Sequence, residues 1–545
     1  MFKSIFSLLC LWLAAVTAIT VTTSTASYVV DTESSYQFAV TISRTNCDIT
    51  SIKFYGAEYQ NQGTFSHIAS GLGTGTAKVT YWTSPSGDTV IFQCTQNNAQ
   101  FNLQHYMVFR NGQANIYMGT NTVTNPTVGE LRYIFRLNGL DVSYPHGDVS
   151  KTAGGTAIEG SDVYLVNGQT RSKFYSSDRF IDERIYCVTN SGPSVHACWL
   201  RPNHQATEKS SGGPFFRDIS SNAGGAYNAF TYYMNSGHAQ TEAYRTGFHG
   251  PYVFSMTRSG RPDPASVDVS FFDSLGLSGY VPINGNRGYI TGTASGVSTS
   301  FPRVVHWFNS NYQFWAYTNS AGVYNSPPIP AGTYTMRLYQ DEFLAASQSV
   351  SVTAGRTTTS NIAATHAAIT QSRTTIFRLG DYDGQPTGFR NAENQLRMHP
   401  SDSRMASWSP GTVASTATST FPMAIFKNVN NGQKITFSLG SALTRAATLR
   451  IATTLSFAGG RPQPTVNGFS CPAPAAPSKI DSRGVTRGAY RGHGEIYECT
   501  VPAGTLVAGT NTVTVTVISG SDGDTFLSPN VVSSACAMVI QSIPC

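Results

Sequence analysis

The chain has 545 residues, a formal net charge of +6 and only 12% charged residues, about half the share usual for soluble domains. The positive charge is small for this length and is not gathered into Lys/Arg runs, which argues against nucleic acid as a partner while leaving a specific acidic ligand open. Beyond the first residues no stretch is long and apolar enough to cross a bilayer as a helix, so a membrane is not an expected partner.

The N-terminus reads as a leader. Lys3 supplies the positive start, Ile5 to Val16 an apolar core, and Val16-Thr17-Ala18 a small-residue cleavage site. Residues 1–18 are therefore expected to be a signal peptide and the mature protein to be secreted and extracellular. Cys10 lies in that leader. The remaining cysteines, Cys47, Cys94, Cys187, Cys198, Cys471, Cys499, Cys536 and Cys545, are even in number and belong to an oxidising compartment, where disulfides are the default. Neighbour pairing (Cys47 with Cys94, Cys187 with Cys198, Cys471 with Cys499, Cys536 with Cys545) is one arrangement; spacing alone does not fix it. None has CxxC spacing, so a zinc site is not expected.

Past the leader, short alternating runs rich in Val, Thr, Tyr and Phe recur between Gly, Asn and Pro turns: Gln37 to Ser43, Thr89 to Cys94, His105 to Arg110, Asn115 to Met118. Long helical patterns are scarce, and the fold class is all-β with several domains. Residues 19–277 form a first domain that ends at Gly276-Leu277-Ser278-Gly279. Residues 278–365, with strands at Arg303 to Phe308, Gln313 to Thr318 and Tyr334 to Tyr339, have the size of an immunoglobulin-like or fibronectin-like sandwich. Residues 366–545 open on Ile376-Phe377-Arg378-Leu379-Gly380-Asp381, end in strands such as Thr512 to Ile518, and read as a jelly roll of the kind that often binds carbohydrate. A surface of Gly, Ser, Thr, Tyr and Asn fits secreted proteins that handle sugars.

Few residues stand out as chemistry. The chain has nine lysines, and Lys173 lies in Arg171-Ser172-Lys173-Phe174-Tyr175-Ser176-Ser177. Read as one strand, this places Arg171, Lys173 and Tyr175 on one face. A lysine beside cations can become a base, whereas arginine cannot. A second strand ends in Tyr233-Met234-Asn235-Ser236-Gly237-His238 and offers an imidazole, with Thr231, Tyr233 and Asn235 on one polar face. In Leu131-Arg132-Tyr133-Ile134-Phe135-Arg136-Leu137 the apolar residues share the core face, and Arg132 and Arg136 share the other. With no acidic residue between them, these arginines either bridge to neighbouring strands or clamp a carboxylate. Lys173 and His238 have equally plain alternatives, a solvated lysine and a histidine satisfying a backbone group. His67 and His249 are weaker candidates. Glu130, Glu159, Asp162 and Asp178 are acidic residues from which spacing nominates no glycosidase pair, and GxSxG, HExxH and P-loop motifs are absent.

Taken in order, several stretches resemble the fungal secreted three-domain rhamnogalacturonan lyases. They are Cys47-Asp48-Ile49-Thr50-Ser51-Ile52, Gly129-Glu130-Leu131-Arg132, Gly155 to Val163, Arg171 to Ser177, Tyr233 to His238, Gly380 to Arg390, and Asn394 through His399 and Pro400 to Arg404. The resemblance covers essentially the whole mature chain. It implies a large β-sandwich catalytic domain, a fibronectin III-like domain and a carbohydrate-binding-like jelly roll. The implied activity is β-elimination in the rhamnogalacturonan I backbone of pectin, between galacturonate and rhamnose. The catalytic lysine and histidine of the family fall on Lys173 and His238, the active-site arginines on Arg132 and Arg136, and a substrate-facing tyrosine on Tyr233; a neighbouring aromatic position is Thr231 here. Its first two disulfides match Cys47 with Cys94 and Cys187 with Cys198.

The chemistry accounts for these residue types. Arginines neutralise the uronate and the charge that develops on it, a base removes the C5 proton, and an acid assists departure of O4. Lys173 is assigned as base and His238 as acid, with the reverse left open. No cofactor is required, and a structural calcium in the last domain has Asp381 and Asp383 as candidates, against an ordinary Asp-Gly turn. The expected partner is rhamnogalacturonan I, met by a monomer. Two other readings are a pectin-backbone hydrolase with paired carboxylates and a non-catalytic pectin-binding lectin; an ultraviolet-absorbing unsaturated uronide marks the lyase alone.

Overall fold

The structure is a computed structural model that describes residues 18–541 apart from 74, 125–129, 145–151, 160–162, 173, 176–177, 193, 203–212, 218, 223–225, 236–243, 372, 394–398, 406, 479–493 and 522–530. Its elements are strands almost throughout; among the described residues the α-helix Ala367–Thr370 is a single turn.

Leu131–Leu137 shows why the first domain folds as it does. Leu131, Tyr133, Phe135 and Leu137 are buried on one face; on the other Arg132 and Arg136 are partly exposed, with Ile134 between them buried. The inner face meets the aromatics of an eight-stranded antiparallel sheet that includes His196–Leu200 and Gly247–Thr257. Phe135 stacks on Phe254 at 3.9 Å between ring centroids and lies 5.2 Å from Trp199; Tyr232 of the neighbouring strand stacks on Tyr252 at 4.3 Å. Each fully buried aromatic contributes roughly 1.5–3 kcal/mol by leaving water. A one-residue slip would send the arginines into this layer, so the register is fixed by its cost.

Two smaller sandwiches follow. The middle one packs Trp307, Tyr324, Tyr334 and Met336 between a sheet built around Arg287–Ser295 and a four-stranded sheet containing Arg303–Phe308 and Gly332–Gln340. The last encloses Phe377, Phe389, Trp408, Phe421 and Phe437 between two five-stranded sheets. Disulfides join Cys47 to Cys94, Cys187 to Cys198 and Cys471 to Cys499. Cys536 is buried without a disulfide among the described residues, and Cys545, its partner under neighbour pairing, lies outside them.

One expectation needs correction. Arg171 to Ser177 is not one strand. Gln169–Ser172 pairs with Val163–Val166 in a small three-stranded sheet, whereas Phe174–Tyr175 pairs with Ser221–Asn222 in a different one. The local sequence suits a strand in either sheet; the change of partner is a tertiary matter that alternation does not encode.

The three sandwiches meet at Glu342, whose side chain is fully buried. Arg217 of the first domain donates to it at 2.8 Å, and Arg179 lies 3.5 Å away while also pairing with Asp341. The Glu342 backbone N–H donates to the carbonyl of Asp383 in the last domain at 2.8 Å, and Gln340 donates to the Tyr382 carbonyl at 2.9 Å. Removing one member of a buried ion pair leaves the other desolvated and uncompensated. Glu342→Ala is expected to destabilise the chain by about 3 kcal/mol, read as a lowered unfolding midpoint in denaturant, with a smaller loss for a rim change such as Asp268→Ala.

Candidate active site

The site rises from a five-stranded antiparallel sheet in which the order is Phe174–Tyr175, Ser221–Asn222, Asn228–Asn235, Leu131–Leu137, His67–Ile68. Directly opposed residues of an antiparallel pair point to the same face. Arg132 opposes Tyr233, Ile134 opposes Thr231, and on the other side Ile134 opposes His67. The register therefore assembles His67, Arg132, Arg136, Thr231 and Tyr233 on the face turned away from the aromatic core. The two arginines sit about 13 Å apart along their strand, from the rise per residue, with His67 opposite the midpoint.

The two guanidinium groups differ. Arg132 Nη1 lies 2.8 Å from Glu130 Oε2 and donates to the Tyr233 hydroxyl at 2.9 Å. Its charge is shared with a residue just before its own strand. Arg136 has no carboxylate partner among the described residues. Its guanidinium carbon sits 5.2 Å over the Tyr227 ring, and its buried Nε lacks a hydrogen-bond partner. Burial, with Arg132 adding to it and Tyr227 opposing, moves its pKa below the usual arginine value. The ion pair of Arg132 thus runs to Glu130, two residues ahead of it on the same segment, and not to a neighbouring strand.

His67 is the residue that the sequence undervalued. Burial first, then Arg136 and Arg132, push its pKa down to about 4, and its Nδ1 is buried without a hydrogen-bond partner. It stands as a neutral imidazole beside two cations. Nothing in Phe65-Ser66-His67-Ile68 announces this; only the pairing of a two-residue strand with Ile134 does. His249 belongs instead to the eight-stranded sheet and is fully buried there. Asn235, fully buried, stands opposite Leu131 beyond a register shift, and Thr231 and Tyr233 also line a pocket with Asp178, Phe180, Arg201 and Ile219.

Lys173 and His238 lie outside the described residues. Of their described chain neighbours, Ser172 ends a strand of the three-stranded sheet, Phe174 begins the edge strand of the arginine sheet, and Asn235, three positions before His238, ends the tyrosine strand. Among the acidic candidates, Glu130 is engaged by Arg132, Asp178 borders the pocket, and Asp162 and the side chain of Glu159 lie outside the described residues. In the last domain Asp381 pairs with Arg378 at 2.6 Å, and Asp383 Oδ1 accepts from the Gln385 backbone and from Ser534. Among the described residues no group of three or more His, Cys, Asp or Glu is placed to hold a metal ion.

A large β-sandwich followed by two smaller ones is also the order of the three family models that the chain matches, and two of these are domains of a polysaccharide lyase family. Residues 19–279 match the N-terminal domain of rhamnogalacturonan lyase B, residues 286–360 match domain II of polysaccharide lyase family 4, and residues 375–537 match its carbohydrate-binding-module-like domain III. Rhamnogalacturonate lyase A of Emericella nidulans is 55% identical over 515 residues, and that of Aspergillus aculeatus is 55% identical over 514; each match covers 94% of this chain and 94% of the relative. The chain belongs to the rhamnogalacturonate lyases of polysaccharide lyase family 4.

The electrostatics give a measurable result. In an NMR titration the His67 imidazole is expected to stay neutral until the pH approaches 4, and Arg136→Gln is expected to raise its pKa by removing a like charge. Because the folded pKa lies below the unfolded value of about 6.5, the unfolded chain binds the extra proton between them. His67 therefore makes stability rise with pH from about 4 to about 6.5 and contributes a constant penalty below that window.

Proposed function

We propose that this chain cleaves the rhamnogalacturonan I backbone of pectin outside the cell, by β-elimination between galacturonate and rhamnose, leaving an unsaturated uronide at the new end. The observation that carries this reading is Arg136: a partly buried cation next to a second cation, with no carboxylate of its own among the described residues. A uronate supplies the missing charge. A guanidinium binds a carboxylate through two parallel N–H···O contacts, and in elimination the carboxylate must accept further negative charge as the C5 proton leaves. Donors aimed at that charge stabilise the transition state more than the ground state.

In this reading Arg132 and Arg136 hold the uronate, and Tyr233, already hydrogen-bonded to Arg132, fixes the orientation of that guanidinium. Lys173 takes the C5 proton. To do so it must lose its own proton well below the ordinary lysine value of about 10.4, and neighbouring arginines act in that direction. His238 gives a proton or a hydrogen bond to the departing O4. This division needs no second carboxylate, and the acidic candidate Glu130 is engaged by Arg132. The three disulfides among the described residues and the leader-like N-terminus support secretion.

The test follows absorbance of the unsaturated uronide during incubation with rhamnogalacturonan I. Lys173→Ala is expected to reduce product formation to background with the fold intact by circular dichroism; near-normal activity in that variant would sink the assignment. Arg136→Ala is expected to lower kcat/KM by roughly 10²–10³-fold, with Arg136→Lys recovering only part because a point charge cannot make the paired contact.

A further inference from the structure

The strands Val163–Val166 and Gln169–Ser172 form a hairpin whose turn is Asn167-Gly168. Both turn residues have positive φ, 51° and 76°, the conformation of the tight two-residue turn that Asn-Gly favours. Such a tip normally projects into solvent. Here it is held by the last domain, more than two hundred residues along the chain. The Ser403 N–H donates to the Gly168 carbonyl at 2.7 Å. The Thr170 N–H donates to Asp402 Oδ2 at 2.7 Å, and Arg404 Nη2 reaches the Thr170 carbonyl at 3.3 Å.

The grip is itself braced. The Asp402 side chain is fully buried, a costly position for a carboxylate unless its oxygens are satisfied. Arg404 satisfies them through Nε to Oδ1 at 3.0 Å, Nη2 to Oδ2 at 2.7 Å and its own backbone N–H at 2.9 Å. One buried carboxylate thus receives a bidentate guanidinium and the backbone of a strand from another domain. A charge-assisted bond of this kind is stronger and more directional than a neutral one. On its far side the held strand ends at Ser172, one residue before Lys173 and two before the edge strand of the arginine sheet.

We infer that residues 399–405 of the last domain are a positioning element for the reaction, with Asp402 and Arg404 fixing the hairpin that leads into the Lys173 segment. The last domain is then a structural part of the catalytic unit and not only a tethered carbohydrate-binding module. Asp402 and Arg404 touch neither substrate nor reacting atoms; they act through Thr170 and the strand that follows. The inference rests on the proposed role of Lys173. Since displacing a reacting group by 1 Å can cost ~10²-fold in rate, loosening the grip should appear in kcat and not in the affinity for polysaccharide.

The experiment uses the full-length chain carrying Asp402→Ala, Asp402→Asn, Arg404→Ala or Arg404→Lys. Expected for Asp402→Ala is a fall in kcat of about tenfold or more with KM changed less than about twofold, together with faster amide exchange in the peptide spanning residues 165–172. Asp402→Asn keeps the shape and an acceptor for Thr170, so it should lose less and keeps the test readable if Asp402→Ala fails to fold. Arg404→Lys should recover part of what Arg404→Ala loses. Faster hairpin exchange with wild-type kcat, unchanged exchange, or a rise in KM alone each overturns the positioning role. Lys173→Ala measured alongside separates the two claims. An inactive Lys173→Ala with fully active Asp402 variants defeats the positioning role alone, whereas an active Lys173→Ala defeats the catalytic reading beneath it.

Discussion

The structure depends on keeping one seven-residue strand in register. Tyr133 and Phe135 are trapped among Trp199, Tyr252 and Phe254, and that aromatic layer cannot accept a guanidinium without a desolvation penalty of several kcal/mol per ion. Burying one face therefore forces Arg132 and Arg136 to the other. Cross-strand pairing then brings Tyr233 and His67 to the same side with no further specification. The site follows from the core: what makes the sandwich stable also sets the spacing of its cations.

Two like charges on one face are costly in the absence of an anion, and the protein relieves this in part. Glu130 neutralises Arg132, the ring of Tyr227 lies under Arg136, and His67 remains neutral. The remaining positive potential is concentrated at Arg136.

Much of this was legible beforehand, for identifiable reasons. Apolar alternation made the arginine pair visible, since strand periodicity survives in sequence whatever the strand pairs with. The break at Gly276-Leu277-Ser278-Gly279 and the strand runs on either side already divide the chain into three, as the resembling stretches also imply. His67 was undervalued because its importance comes from pairing with Ile134, far along the chain. The engagement of Arg132 by Glu130 is not signalled by strand alternation, because the carboxylate stands just ahead of the strand and not between the arginines. The division of Arg171 to Tyr175 between two sheets was also invisible, as was the bond from Thr170 to Asp402: neither leaves a local periodic trace. The run ending at Arg404 was recognisable as a pattern, but its physical meaning required the fold.

The junction at Glu342 has an evolutionary and practical consequence. Appended binding modules are commonly treated as cassettes, joined by linkers and exchangeable between enzymes. Here the middle sandwich supplies a buried carboxylate to arginines of the first domain, and its backbone is bonded to the last. Transplanting a foreign module would leave polar groups at that seam without their counterparts. The three domains are therefore expected to be inherited together and to diverge in concert, and any recombination that separates them would have to rebuild the seam.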